Sequence, residues 1–552
     1  MASIIFWILF WLLIAVLIIS SFLREKEKDN RRKEKIRSFF GKRDTIPEDC
    51  SFLLNQSEFM AYYGKCHPAD QYIDDITTRD LQLHDIYSRL DRCMSPAGRD
   101  CLYALLRFIP HEESVSAIRY EKIHQYINNK DKAVDHAYIL SRLGHRNNTD
   151  VFVLISGLEH AKQRNIMIDI SMMVLIIAGI ILSLFIPAAG IALTVIMLVI
   201  SVITYFSGKR VMDENLKGLA MCLQLIACAE KLNAAGCEDF DQYRELFSLL
   251  SAKCLIPYRE STTSSPFAIL YDYIRIITHI DLIVYSIKIK KIISAIETIR
   301  RMYVDIGMVD SHISLASYIY ERDHCLAVFT QESILSAKGM YHPLVEDPVC
   351  NDINANRGVM ITGSNASGKS TFLKAVGVNE IFAACLGFAF ASEFVSGRFS
   401  IYTSMALTDD LLAKESYYVA EARSIKRICD AAREGKCLCI IDEILKGTNT
   451  TERIAASTQV LRYLCKKDIL CFAATHDREL TVLLNDEMDQ YHFSEEIEND
   501  TVRFPFLIKK GVADKTNAIT ILSMLGFDES IVSSADDLAD RYRRTGKWEI
   551  KE

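Results

Sequence analysis

Residues Gly358 to Lys374 read GVMITGSNASGKSTFLK. Gly358–Thr362 is a short apolar run of strand type, and Thr371–Lys374 opens a helix. Between them, Gly363-Ser364-Asn365-Ala366-Ser367-Gly368-Lys369-Ser370 fits G-x-x-x-x-G-K-[ST]. Strand, loop and helix in that order are what a phosphate-cradling loop needs. The two glycines let the backbone curl so that successive N–H groups face phosphate oxygens. The helix that follows adds the positive end of its dipole. Lys369 is expected to reach the β and γ phosphates, and Ser370 to give its hydroxyl to Mg²⁺.

The text after this loop alternates apolar strands with helices, which indicates a largely parallel, buried sheet with helices on both faces. One strand, Cys437-Leu438-Cys439-Ile440-Ile441, ends in Asp442-Glu443. Acids delivered by an apolar strand about seventy residues after such a loop suit a Walker B arrangement. Asp442 would hold Mg²⁺, and Glu443 would polarise or position the attacking water. A further strand, Ile469–Ala474, ends in Thr475-His476. His476 is placed to reach the γ-phosphate end of the same site.

The chain has 552 residues, half of them hydrophobic, which supports two or three domains. A net charge of −7 argues against a protein coated for nucleic acid. The sixteen cysteines form no C-x-x-C pair and no zinc-type spacing with histidine. We read them as reduced core thiols and expect neither disulfides nor a structural metal.

Ser3 to Leu23 carries no charge, and its twenty-one residues cover about 31 Å as a helix, enough for a bilayer core. Arg24 to Arg43 then holds ten Lys/Arg against four Asp/Glu, so this side is expected to be cytosolic, with lipid headgroups nearby. Two more apolar runs, Ile170–Ile186 and Ile191–Phe206, flank Pro187-Ala188-Ala189-Gly190. Basic residues at both outer ends make this a hairpin with both ends inside. Arg275 to Ile296 is apolar but interrupted by Asp281, Lys288, Lys290 and Lys291, so we expect a long core helix there. Ser95-Pro96 starts a helix by cap and first-turn chemistry.

The motifs together resemble the MutS family of ATPases. The family's TGPN-x-x-GKST appears as Thr362 through Thr371. Asp409-Asp410-Leu411 with Ser416 and Glu421 resembles DDL…STF-x-x-E. Asp442-Glu443-Ile444 with Gly447-Thr448-Asn449-Thr450 resembles DEIGRGTST, and Ala474-Thr475-His476 with Glu479-Leu480 resembles ATH-x-x-EL. His342-Pro343-Leu344-Val345 is similar to the opening of the family's ATPase domain, and Met94 to Arg99 to its lever segment. The resemblance implies ATP and Mg²⁺ as cofactors and a composite site between two copies. Ser416 would reach the γ-phosphate held by the partner copy, and Asn365 would lie near the nucleoside. The sequence departs from the family at Lys414-Glu415, Tyr417-Tyr418 and Leu445-Lys446. We also expect the mismatch-reading domain to be absent.

The expected organisation is an anchor over 1–23, a basic juxtamembrane segment over 24–70, and helical lever parts over 71–165 and 208–335 around a membrane hairpin at 166–207. An α/β P-loop ATPase domain follows over 336–552. The expected activity is that of a multi-pass cell-membrane ATPase with its ATPase domain in the cytoplasm. It would close as a homodimer and move its levers, with membrane lipid and an unidentified protein as further partners. The alternative is a membrane-tethered protein acting on branched or duplex DNA.

Overall fold

The computed structural model describes residues 16, 20, 23, 24, 26–42, 57–144, 150–161, 165–250, 273–405, 417–466, 468–498, 501–512, 519, 522, 523, 526–546 and 548. They group into two units that are discontinuous in the chain. One comprises Met1–Cys66, Asp91–Ala104 and Ile123–Tyr320; the other comprises His67–Leu90, Leu105–Lys122 and Glu321–Glu552.

The first unit is helical among its described residues. Its elements include α1 (residues 26–39), and, in chain order after α2 (Asp75–Asp80) of the other unit, α3 (Pro96–Arg107, up to Ala104), α4 (Lys130–Leu140), α5 (Ile166–Ser183), α6 (Pro187–Ala234), α7 (Ile280–Ser294) and α8 (Ile296–Ile319). Helices α5 and α6 form the expected apolar hairpin, but Pro187-Ala188-Ala189-Gly190 is not the break. Pro187 occupies the first turn of α6, where its missing N–H and fixed φ are at no disadvantage. Two glycines let the backbones close: a Cβ on Gly190 would meet the Ser183 nitrogen at 2.1 Å, and one on Gly179 would meet Thr194 Oγ1 at 2.6 Å. Both helices are long and apolar enough to cross a membrane, and only 17% of each one's most apolar window is buried. Leu184 and Phe185 at the tip are 79% and 78% exposed. Helix α6 then runs unbroken past residue 207, so one helix of 48 residues, about 72 Å long in all, includes both the second hairpin arm and a segment of the helical unit.

The run Arg275–Ile296 is not one helix. It breaks at His279, whose φ of +52° is left-handed, and again at Ala295. His279 is pulled into place by side chains from the hairpin. Its Nδ1 lies 2.8 Å from Asp169 Oδ1 of α5, and its Nε2 lies 2.9 Å from Ser201 Oγ of α6, all three residues fully buried. One turn along α6, the Tyr205 hydroxyl donates to Asp281 at 2.8 Å. Polar groups in an apolar hairpin are costly unless hydrogen-bonded, and this node pairs them while tying α7 to both hairpin helices.

Ser95-Pro96 does start a helix, and α8 supplies the cap. Asp310, buried in α8, accepts from the backbone nitrogens of Met94 at 2.9 Å and Ser95 at 2.7 Å, and from Ser95 Oγ at 2.5 Å. Gly98 and Gly307 permit this approach, since a Cβ on Gly307 would lie 2.4 Å from the Ala97 carbonyl oxygen. Burial pushes the Asp310 carboxyl up to about 7 against the pull of its donors. Its folded value exceeds the unfolded one of about 3.9, so this group favours folding fully below about pH 4 and loses that contribution as pH rises to about 7. Asp310→Ala orphans three donors and is expected to lower unfolding free energy by about 3 kcal/mol, with a flatter stability profile between about pH 4 and 7. Denaturant unfolding at several pH values checks both.

Among its described residues the second unit holds a six-stranded sheet, a five-stranded sheet and two two-stranded ribbons, Gln71–Tyr72 with Phe108–Ile109 and Glu496–Glu498 with Thr501–Arg503. The strands of the two larger sheets are β1 (Cys325–Phe329), β2 (Leu335–Met340), β3 (Asn351–Ala355), β4 (Gly358–Thr362), β5 (Phe388–Ala389), β6 (Glu393–Ser396), β7 (Ser400–Ser404), β8 (Cys437–Asp442), β9 (Ile469–Ala474), β10 (Met488–Phe493) and β11 (Ile508–Lys510). The six-stranded sheet runs β11-β10-β4-β9-β8-β7, parallel except for β11. The five-stranded sheet runs β3-β2-β6-β1-β5 and is mixed. All of β4 and β9, and β8 up to Ile441, are buried, as expected of strands covered on both faces. Helices α9 (Lys369–Leu386), α10 (Tyr417–Ala431) and α11 (Thr450–Leu464) connect them.

Helix α2, expected in the helical block at 71–165, belongs to this unit. Asp80 accepts from Thr403 Oγ1 at 2.8 Å and from Met405 N at 3.0 Å, and Arg427 binds Asp74 and the Thr403 carbonyl. These polar contacts fix α2 against β7 and α10, which helical periodicity alone does not report.

Candidate active site

The parallel register sets three strand ends side by side. Asp442 at the end of β8 is level with Ala474 of β9, and Ala474 is level with Ile361 of β4. The Gly363–Ser370 loop leaves β4, Glu443 follows β8, and Thr475-His476 follow β9. Open α/β sheets bind ligands at the carboxyl ends of their strands.

The loop needs both glycines. Gly363 has φ +140° and Gly368 has φ +102°, and a Cβ on Gly363 would lie 2.7 Å from the Phe493 carbonyl oxygen. Asn365–Ser367 make one 3₁₀ turn, and Gly368 then opens α9. Ser367 Oγ donates to the Ser364 carbonyl at 2.7 Å, and Ser364 Oγ donates to Glu495 at 2.9 Å. Lys369 Nζ donates to the carbonyls of Gly363 and Ser364, each at 2.7 Å. Burial brings Lys369 down to about 8, with Asp442 opposing and Lys446 reinforcing the shift.

Ser370 Oγ donates to Asp442 Oδ2 at 2.5 Å. The other carboxylate oxygen, Asp442 Oδ1, is buried without a hydrogen-bond partner. A hydroxyl beside an orphaned carboxylate oxygen is a hard-oxygen donor set that fits Mg²⁺. His476 Nε2 lies 3.0 Å from Glu443 Oε1 and 3.4 Å from Lys369 Nζ. Burial, with Lys369 and Lys446 close by, lowers His476 below the usual imidazole range. Thr371 continues α9. The structure thus brings Lys369, Ser370, Asp442, Glu443 and His476 together. Ser416, with Asp409-Asp410-Leu411, lies outside the described residues, as does Lys414-Glu415.

Several contacts had no signal in the motifs. Lys446 forms an ion pair with Glu443 Oε2. Glu443 and Leu445 both have positive φ, +59° and +56°, a strained conformation that Glu421 of α10 braces by accepting from Lys446 N at 3.1 Å. Arg453 of α11 holds Asp477, next to His476, through two hydrogen bonds of 3.1 and 2.7 Å. Beside Gly368 and Thr371 is a cleft of about 240 Å³ lined by His342, Val345, Phe493 and Phe506. Burial takes His342 down to about 4, so it is neutral at pH 7. The motif HPLV contained this histidine, but two of its aromatic companions, Phe493 and Phe506, come from 151 and 164 residues downstream.

The α/β unit thus carries a glycine loop, a hydroxyl–carboxylate pair and a glutamate at the ends of adjacent parallel strands. Residues 359–543, a third of the chain, match the family model described as MutS domain V. The chain is 29% identical over 262 residues to DNA mismatch repair protein MutS of Thermotoga sp. (strain RQ2), covering 44% of this chain and 32% of that protein. It is 31% identical over 227 residues to the protein of the same name from Thermotoga petrophila, covering 38% and 28%. To that of Natronomonas pharaonis it is 27% identical over 260 residues, covering 45% and 30%. The chain therefore spans about a third of the length of the curated relatives it matches. The chain is thus similar to MutS proteins over less than half of its length.

Proposed function

We propose that this protein is a membrane-anchored MutS-like ATPase in which ATP-driven closure of a homodimer moves helical levers and an embedded hairpin. The observation that carries the reading is the meeting of Lys369, Ser370, Asp442, Glu443 and His476 at adjacent strand ends. Lys369 and the loop backbone hold the triphosphate, and the cleft beside Gly368 takes the base. Ser370 and Asp442 hold Mg²⁺, which neutralises phosphate charge when bound. Glu443 positions and polarises the attacking water, and His476 stands at the γ-phosphate end. Ser416 completes the site from the partner copy. The unbroken α6 is the route by which a movement of the helical unit reaches the hairpin.

A mixed dimer tests the shared site. Pairing Lys369→Ala with Ser416→Ala subunits leaves one complete site, because the second subunit supplies the loop and the first supplies the serine. Purified mixed dimers in nanodiscs are expected to hydrolyse ATP several-fold faster than either parent homodimer. Equal rates would rule out the composite arrangement. Topology has its own test: cysteines at Ser38 and Val211 should label only from the cytosolic side, and one at Leu184 only from outside or not at all.

The alternative, a membrane-tethered DNA-binding protein, draws on the relatives' names and on the basic run 24–43. Within that run, Lys33 pairs with Asp135 at 2.8 Å and Arg37 with Asp131 at 2.6 Å, so part of its charge serves the helical unit. DNA affinity that falls steeply with salt would favour this second reading.

A further inference from the structure

The helical unit contains a cleft of about 570 Å³ between α1, the start of α3, α4 and α8. At about 30 Å³ per molecule, that is room for roughly 19 waters. Its floor is a poor host for water: Ile36, Phe40, Cys93, Ala137 and Ile313 are all apolar and at most 9% exposed. Folded interiors are close-packed, and a space of this size with an apolar floor favours an apolar occupant.

The rim has the opposite character. Among the described residues, four cations, Arg32, Lys35, Arg92 and Arg99, line the cleft with one carboxylate, Asp91. Asp91 lies 3.0 Å from Arg99 Nε, so it is already engaged with one of the four. Two of the guanidiniums are oriented by neutral carbonyls. Arg32 donates to Ser141 O at 2.5 Å, and Arg92 donates to Ser317 O at 3.0 Å and to Lys42 O at 2.6 Å. A carbonyl fixes the direction of a guanidinium without cancelling its charge. At the rim, Arg32 and Lys35 are exposed cations above the apolar floor, and a guanidinium suits a planar or tetrahedral anion.

We infer that this cleft binds a single-chain anionic amphiphile, whose carboxylate or phosphate head meets Arg32, Lys35 and Arg92 and whose acyl chain fills the floor. The volume suits one chain. The wall formed by α1 begins a few residues after the uncharged segment Ser3–Leu23, which places the cleft on the cytosolic flank of the expected anchor. The occupant would add to the contacts that already fasten α1 to α4 and α8, which include the Lys33–Asp135 ion pair, the hydrogen bonds of Arg32 and Gly41, and the edge contact of Phe40 with Tyr320. The inference concerns the helical unit and does not rest on the ATPase reading.

The test uses the full chain in a neutral maltoside detergent, with native mass spectrometry and thermal unfolding as readouts. Oleate and oleoyl-lysophosphatidate are the probes; oleoyl-lysophosphatidylcholine and inorganic phosphate are the controls. One anionic amphiphile should bind per chain and raise the unfolding midpoint, while neither control does so. Lys35→Glu and Arg32→Glu, both on exposed positions, should each weaken binding at least tenfold. Ala137→Leu fills the floor without altering charge and should weaken binding while leaving the ligand-free midpoint unchanged or higher. Equal binding of lysophosphatidylcholine would reduce the effect to ordinary detergent-like adsorption. An equal shift with inorganic phosphate would make this a small-anion site. Wild-type binding in both charge variants would overturn the inference outright.

Discussion

Glu443→Gln is expected to lower ATP turnover by about 10²–10⁴-fold while ATP binding persists. The amide keeps the shape of the carboxylate but cannot polarise a water as a base. The surrounding contacts sharpen the expectation. Glu443 sits at a positive φ, with His476 3.0 Å from one oxygen and Lys446 on the other. Glutamine carries no charge, so the ion pair with Lys446 is lost as well. The variant should still close around ATP and accumulate as a dimer. Turnover is read by phosphate release in nanodiscs, affinity by a fluorescent nucleotide, and dimer fraction by light scattering. A variant that hydrolyses ATP at the wild-type rate would remove Glu443 from the mechanism. The same trapped dimer, crosslinked in membranes, is the preparation from which an unidentified partner can be recovered.

Lys369→Ala is expected to weaken ATP binding by about 1.5–3 kcal/mol, roughly 10–150-fold. The ammonium is held between two loop carbonyls at 2.7 Å, so it is placed before any nucleotide arrives. Alanine removes the only side-chain cation of the Gly363–Ser370 loop and leaves those carbonyls facing the phosphates. A pH dependence follows from the same residue. Its nucleotide-free value is held down to about 8, and bound phosphates raise it. Affinity should therefore be level below about pH 8 and weaken above it, because binding then requires proton uptake. Lys369→Ala should lose that slope along with the affinity. Titration calorimetry across pH 6.5 to about 9.5 checks both parts.

Much of the α/β unit was legible because its signals are local. Gly363 and Gly368 announce backbone angles that other residues rarely adopt, and Cys437–Ile441 and Ile469–Ala474 announce strands buried on both faces. Their order placed Asp442, Glu443 and His476 at neighbouring strand ends. Apolar length likewise marked the hairpin, since a helix's reach depends only on its residue count. Pro187 illustrates where local reading ended. It reads as a breaker within a run, yet it is equally suited to a first helical turn, and the backbone approach at Gly190 decided the matter.

By itself, then, the sequence determined which segments become buried parallel strands, where the phosphate-type loop turns, and which stretches are apolar enough for a bilayer. Each of these depends on residues close together in the chain. Only the tertiary structure decided that Lys446 engages Glu443, that Asp310 caps a helix more than 200 residues earlier, that His279 breaks an apolar run to meet Asp169 and Ser201, and that α2 joins the α/β unit. Those outcomes depend on which buried polar group finds which partner, a choice made by three-dimensional packing because an unpaired buried group is too costly to keep.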